Sequence, residues 1–155
     1  MQTAIASQLC IIPFSQLQAI PWFIDGGDSI WVQIIATNDF GPSAASTGNG
    51  AVYTRIPDAP VSLIENLATK TDTSIDLEWQ NGYNNGGLAI LDYRVSYSVE
   101  GAEFAILVDQ HLSQSYTATG MVLGTSYKFK VQARNPIGLS PDSATLDIFH
   151  AFVPD

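Results

Sequence analysis

The feature that most constrains this chain is an internal echo. Residues 27–46 read GDSIWVQIIATNDFGPSAAS, and residues 124–143 read GTSYKFKVQARNPIGLSPDS. At a constant offset of 97 residues (124 − 27), Gly27 falls on Gly124, Ser29 on Ser126, Ala36 on Ala133 and Asn38 on Asn135. Gly41 then falls on Gly138, Ser43 on Ser140, and Ile56-Pro57-Asp58 on Val153-Pro154-Asp155. A period near 100 residues is the size of one two-sheet β domain. The chain therefore divides into residues 57–155, a complete unit, and residues 1–56, which hold only the back half of another. It ends where a further copy would begin, so it is expected to be an excerpt of a longer array.

Within the complete unit, residues 74–79 alternate. Ile75, Leu77 and Trp79 lie on one face and Asp76 and Glu78 on the other, the mark of a half-buried strand. After a Gly- and Asn-rich loop, residues 80–87, Tyr93, Val95, Tyr97 and Val99 point inward against Asp92, Arg94, Ser96 and Ser98. Tyr127, Phe129, Val131 and Ala133 do so against Lys128, Lys130, Gln132 and Arg134. Further strands are expected at residues 63–69, 103–108, 114–119 and 143–149. Seven short strands with turn signals between them specify an all-β, antiparallel sandwich. Its expected core includes Trp79, Tyr93, Val95, Leu123, Tyr127, Phe129 and Val131.

These residues resemble the fibronectin type III family, an immunoglobulin-like sandwich. The resemblance rests on the proline-rich lead-in PDAP at residues 57–60, on Trp79 ending the second strand, and on a spaced back-half pattern. That pattern is Leu123, Tyr127, Phe129, Val131, Ala133, Asn135, Gly138 and Ser140. It implies a tyrosine corner at Tyr127, whose hydroxyl would bond nearby backbone. The first unit departs from it: Ile30 stands in the corner position, and residues 9–29 are longer than their counterpart. The alternation of two unit types looks like the long repeat-bearing surface proteins of ciliated protists. Cys10 is the one cysteine, either a buried apolar residue or half of a bridge whose partner lies upstream. The looser resemblance implies the second and an oxidising extracellular setting.

Composition narrows function by exclusion. Six basic against 15 acidic residues, a net charge of −9, repel phosphate backbones and anionic membranes, so neither nucleic acid nor direct membrane insertion is expected. His111 and His150 lie on different elements, and Asp109-Gln110-His111 reads as a solvated turn without metal-ligand spacing. Calcium has a conceivable place only at repeat junctions, through Asp58 or Asp155. No nucleophile elbow, phosphate loop or CxxC occurs, so no catalysis, cofactor or metal is expected.

Interaction is the remaining class. Where the second unit carries Lys128, Lys130, Gln132 and Arg134 outward, the first carries Trp31, Gln33, Ile35 and Thr37. Trp31 and Ile35 form an apolar patch that a lone soluble domain avoids; packing against a neighbouring repeat is the expectation, with contact with another chain or glycan shielding as the competing explanations. The loop residues Tyr83, Asn84 and Asn85 are candidates for ligand contact. The leading expectation is a non-catalytic extracellular or cell-surface adhesion and spacer repeat, with neighbouring repeats or copies of itself as protein partners. The alternatives are a ligand- or carbohydrate-binding module, receptor-like or accessory to an enzyme outside the excerpt.

Overall fold

A computed structural model describes residues 11–19 and 21–151. The chain separates into two compact units, Met1–Tyr53 and Thr54–Asp155, so the break falls three residues before the expected one. Cys10 and Asp155 lie outside the described residues.

In unit 1 a single helical turn, α1 (Phe14–Gln18), precedes four short strands: β1 (Ser29–Val32), β2 (Thr37–Asn38), β3 (Gly41–Pro42) and β4 (Asn49–Val52). β1 pairs antiparallel with β4, and β2 with β3 around the turn that Gly41 closes at φ 127°.

Unit 2 contains β5 (Val61–Glu65), β6 (Ser74–Gln80), β7 (Asp92–Val99), β8 (Ala105–His111), β9 (Ser115–Thr119), β10 (Ser126–Asn135), β11 (Gly138–Leu139) and β12 (Leu146–Phe149). One sheet has the order β5-β6-β9. The other runs β8-β7-β10, with β11 and β12 sharing the far side of β10. All pairings are antiparallel. The count exceeds the expected seven because the turn after Asn135 closes into its own two-residue strand, β11.

Alternation drives the packing. β6 contributes Ile75, Leu77 and Trp79, β7 Tyr93 and Val95, and β10 Tyr127, Phe129, Val131 and Ala133. All are 5% exposed or less, which closes the interior between the sheets. Trp79 meets Tyr93 edge to face across the sheets at 5.5 Å between ring centroids. The Tyr93 hydroxyl donates to Asn81 Oδ1 and accepts from Gln114 Nε2 at 3.1 Å, so its polar tip is satisfied.

Several expectations need correction. Leu123 is 44% exposed, because the chain swings out before Gly124 and Met121 (6%) fills the interior instead. Val99 is exposed at the sheet end and Tyr97 is half-buried, while outward Ser96 and Ser98 are buried. Small hydroxyls fit beneath their neighbours there, and Ser98 donates to Ala102 O. Residues 109–111 belong to β8 rather than to a solvated turn, and His111 packs near Trp79 and Tyr116. His150 is fully buried, with Nε2 3.2 Å from Asp72 O. The strand expected over residues 143–149 begins only at Leu146.

Candidate interaction surface

The two expected contact regions meet different fates. On unit 1, Trp31 is 73% exposed and Ile35 58%. The indole lies over the opposite strand, where a Cβ on Gly50 or Gly48 would overlap it. Glycine at these positions lets the ring settle onto backbone, leaving its other side to solvent. All residues from Trp31 to Phe40 are exposed.

The Gly/Asn loop of unit 2, in contrast, is occupied by the chain's own linker. Arg55 N donates to Gly86 O at 2.9 Å, and Asp58 N to Asn84 O at 2.8 Å. Asn84 N returns a bond to Asp58 Oδ2 at 3.0 Å, while Asp58 Oδ1 takes Arg55 Nη1 at 2.8 Å. Both carboxylate oxygens that could have faced a cation are therefore engaged. Asn84 Oδ1 accepts from Gly86 N and Asn85 Oδ1 from Gly87 N, folding the loop so that both glycines reach φ near +80° (77° and 79°). Pro57 and Pro60 are buried, and a Cβ on Gly86 would collide with the Arg55 carbonyl. Tyr83, 98% exposed, projects from the loop, and Asn85 is exposed beside it.

Asn135 fastens this arrangement, a role that sequence reasoning missed. It is 1% exposed. Its Nδ2 donates to Arg55 O at 2.7 Å and Asn85 O at 2.9 Å, while Oδ1 accepts from Ile137 N and Gly138 N. One amide thus joins linker, loop and turn with all its hydrogen-bonding capacity used. The repeated Asn-x-x-Gly was the available signal, but it reads as a turn until the linker is seen against it.

The outward face of the larger sheet is an ion ladder. Lys128 pairs with Asp147, Lys130 with Asp142 and the Phe104 ring, Arg94 with Asp109, and Arg134 with Asp92 and Asp109. The Arg94 hydrogen bonds hold the Asp109 carboxyl below its ordinary range, helped by Gln110 N–H and the Arg94 and Arg134 charges against partial desolvation. The same hydrogen bonds raise Arg94. With Arg55–Asp58 and Lys70–Glu65, each of the six basic residues has a carboxylate partner. Among the described residues, no three His, Cys, Asp or Glu side chains converge as metal ligands, and no helix is long and apolar enough to cross a membrane. A shallow cleft of about 600 Å³ beside β6 and β9 is lined by Asp76, Glu78, His111 and Tyr116.

The remaining structural signature is the corner. Val122 N donates to the Tyr127 hydroxyl at 2.9 Å, satisfying the buried phenol against local backbone. The sequence profile of the Fibronectin type III domain matches residues 59–149, more than half of the chain. The chain belongs to the fibronectin type III family. Curated relatives share its sequence over longer stretches. The Neuronal cell adhesion molecule of Rattus norvegicus is 28% identical over 120 residues, 74% of this chain and 10% of that protein. Cell adhesion molecule Dscam2 of Drosophila melanogaster is 27% identical over 135 residues, 81% of this chain and 6% of that protein. The chain therefore spans a tenth or less of these curated relatives. Among solved structures, titin domains A168–A170 superpose with a TM-score of 0.59 at 24% identity, over 83% of this chain and 43% of theirs, a likeness of fold. The titin kinase with its flanking domains gives 0.52 at 30% identity, over 58% of this chain and 16% of that one.

Proposed function

We propose that this chain is a non-catalytic adhesion and spacer segment of an extracellular or cell-surface protein, working through contacts with neighbouring repeats or other proteins. The observation that carries the spacer reading is the clasped linker. Tyr53 is tied into unit 1 through Gly27 N and Asp28 O, and Arg55 into unit 2 through Gly86 O and Asn135. Thr54 stands between. A linker fixed to its own domain has few free backbone torsions, the property a spacer needs. The adhesion part rests on relatives named as cell adhesion molecules. The loop that would serve a ligand-binding module spends its asparagines on itself and the linker, which favours the spacer reading over that alternative.

Trypsin tests the clasp directly, because Arg55 is itself a cleavage site. In the parent chain the Arg55–Ile56 bond is expected to resist digestion. Asn135→Ala, or Gly86→Ala with its Cβ against the Arg55 carbonyl, should raise cleavage there about tenfold through local opening. Cleavage at Arg94 and Arg134 in the same digest reports whether unit 2 stays folded. Unchanged cleavage at Arg55 in both variants would remove the clasp as the basis of a spacer.

A further inference from the structure

The loop between β6 and β7 holds reactive chemistry besides its hydrogen bonds. The chain contains three Asn-Gly pairs, Asn49-Gly50, Asn81-Gly82 and Asn85-Gly86. In such a pair the glycine nitrogen can attack the asparagine side-chain carbon Cγ, because no glycine side chain obstructs the approach. The Cγ–Nδ2 bond breaks, ammonia leaves with the proton of the glycine N–H, and a succinimide ring joins side chain to main chain. Water then opens the ring at either carbonyl. The products are aspartate and an isoaspartyl residue, in which the main chain runs through Cβ and Cγ. Water is consumed and ammonia released, with no oxidant or cofactor needed.

What holds the attacking nitrogen and the carbonyl differs among the three. Gly50 N is bonded to Asn49 Oδ1 at 3.0 Å, and the buried Gly86 N to Asn84 Oδ1 at 2.6 Å, so both nitrogens are engaged. Asn85 Oδ1 is occupied too, accepting from Gly87 N at 3.0 Å. Asn81-Gly82 is arranged the other way round. Gly82 N has no acceptor among the described residues, and neither has Asn81 Nδ2, the leaving nitrogen. Asn81 is exposed to water. Its Oδ1 accepts from the Tyr93 hydroxyl, which itself accepts from Gln114 Nε2 at 3.1 Å. A donor fixed on the carbonyl oxygen stabilises the oxyanion formed when Cγ is attacked, and the second donor polarises the first.

We propose that Asn81-Gly82 is a self-modification site, converting to the isoaspartyl form in the folded chain and thereby releasing the linker. The release rests on the clasp described above; the conversion does not. Gly82 lies against the linker. A Cβ there would fall 2.5 Å from Ala59 O and 2.7 Å from both Asp58 Cβ and Asp58 O. The extra main-chain methylene of an isoaspartyl residue therefore has no room, and the loop must move off Asp58. The bonds it disturbs are Asp58 N to Asn84 O and Asn84 N to Asp58 Oδ2. The new carboxylate also adds negative charge next to the segment that holds Asp58, in a chain already at −9.

Ageing the folded parent chain and mapping the loss of ammonia by tandem mass spectrometry of its peptides ranks the pairs directly. Asn81 should convert about tenfold faster than Asn85 and Asn49. In urea the three should react alike, since each is followed by the same unobstructed glycine. Tyr93→Phe keeps the ring against Trp79 but removes the donor, so Asn81 should slow about tenfold, and Gln114→Ala should slow it less. Resistance of Arg94 and Arg134 to trypsin shows that unit 2 stays folded in each variant. The isoaspartyl fraction should be cleaved at Arg55 about tenfold faster than fresh chain, through local opening. Asn81→Ser, which cannot cyclise, should show neither conversion at 81 nor the faster cleavage on ageing. Conversion of Asn81 no faster than that of Asn85 in the folded chain overturns the site, as does a rate unchanged by both Tyr93→Phe and Gln114→Ala. Parent-rate cleavage at Arg55 in the isoaspartyl fraction, while Asn135→Ala still raises it, overturns the release and leaves the clasp standing. No rise in either overturns both.

Discussion

Residues 29–52 and 126–149 form the same ladders in the same register. Ser29↔Val52 repeats as Ser126↔Phe149, and Asn38↔Gly41 as Asn135↔Gly138. Even the serine bonds recur. Ser46 Oγ accepts from Ile34 N at 2.9 Å and Ser143 Oγ from Val131 N at 3.0 Å, while Ser43 and Ser140 serve Ala36 and Ala133. Yet Val131 is fully buried and Ile34 is 68% exposed. Local sequence is enough to specify the hairpin and its bonds. What those bonds contribute depends on whether a second sheet covers them, because an unmade bond costs little in water and much in a dry interior.

The comparison can be broken most forcefully in the core. Phe129→Ala or Trp79→Ala should destabilise unit 2 by about 3–5 kcal/mol, whereas Val32→Ala, at the position matching Phe129, should change stability by no more than about 0.5 kcal/mol. Denaturant titration followed by tryptophan fluorescence measures both, and comparable losses at the two sites would end the contrast.

A sharper test removes one bond from each ladder. Ser143→Ala strands the buried Val131 N–H at about 1–3 kcal/mol, while the Ile34 N–H freed by Ser46→Ala can turn to water at a few tenths. Paired denaturation curves give the difference, and equal costs would show that the two environments are alike. Tyr127→Phe should follow at about 1 kcal/mol through loss of the Val122 bond. Ile30 has no such bond to lose, so no mutation there can mimic it.

The smallest effect is electrostatic and belongs to unit 2 alone. A carboxyl held below its ordinary range binds its proton less readily folded than unfolded. The Asp109 contribution is therefore complete above the unfolded carboxylate range and disappears as pH falls through the lowered folded value. Its partners are partly solvated, so Asp109→Asn should cost less than about 1 kcal/mol at neutral pH, with the difference from the parent vanishing in acid and shrinking with salt. A difference that persisted in acid would point to packing instead.

Much of the architecture was readable from periodicity. The alternation in β6, β7 and β10 identified Trp79, Tyr93, Val95, Phe129 and Val131 as interior, since a strand must send alternate side chains to one face. Leu123 misled because it sits outside any strand, where spacing no longer fixes direction. Asn84 and Asn85 read as loop residues free to meet a ligand, but the linker that engages their loop lies some thirty residues upstream, a separation that no local pattern encodes. The ion ladder was half legible: the basic stripe was plain, but its partners Asp109, Asp142 and Asp147 sit on three other stretches of chain.

By itself the sequence determined where strands form, which face of each is apolar, and that two stretches 97 residues apart (124 − 27) build the same hairpins. Those outcomes follow from backbone geometry acting over a few residues. Only the tertiary structure decided that Asn135 clasps Arg55, that every cation is matched, and how deeply each copy of the hairpin is buried among the described residues. Each of these depends on which distant segment comes to lie alongside, and that is settled by burial of surface across the whole unit rather than by neighbours in the chain.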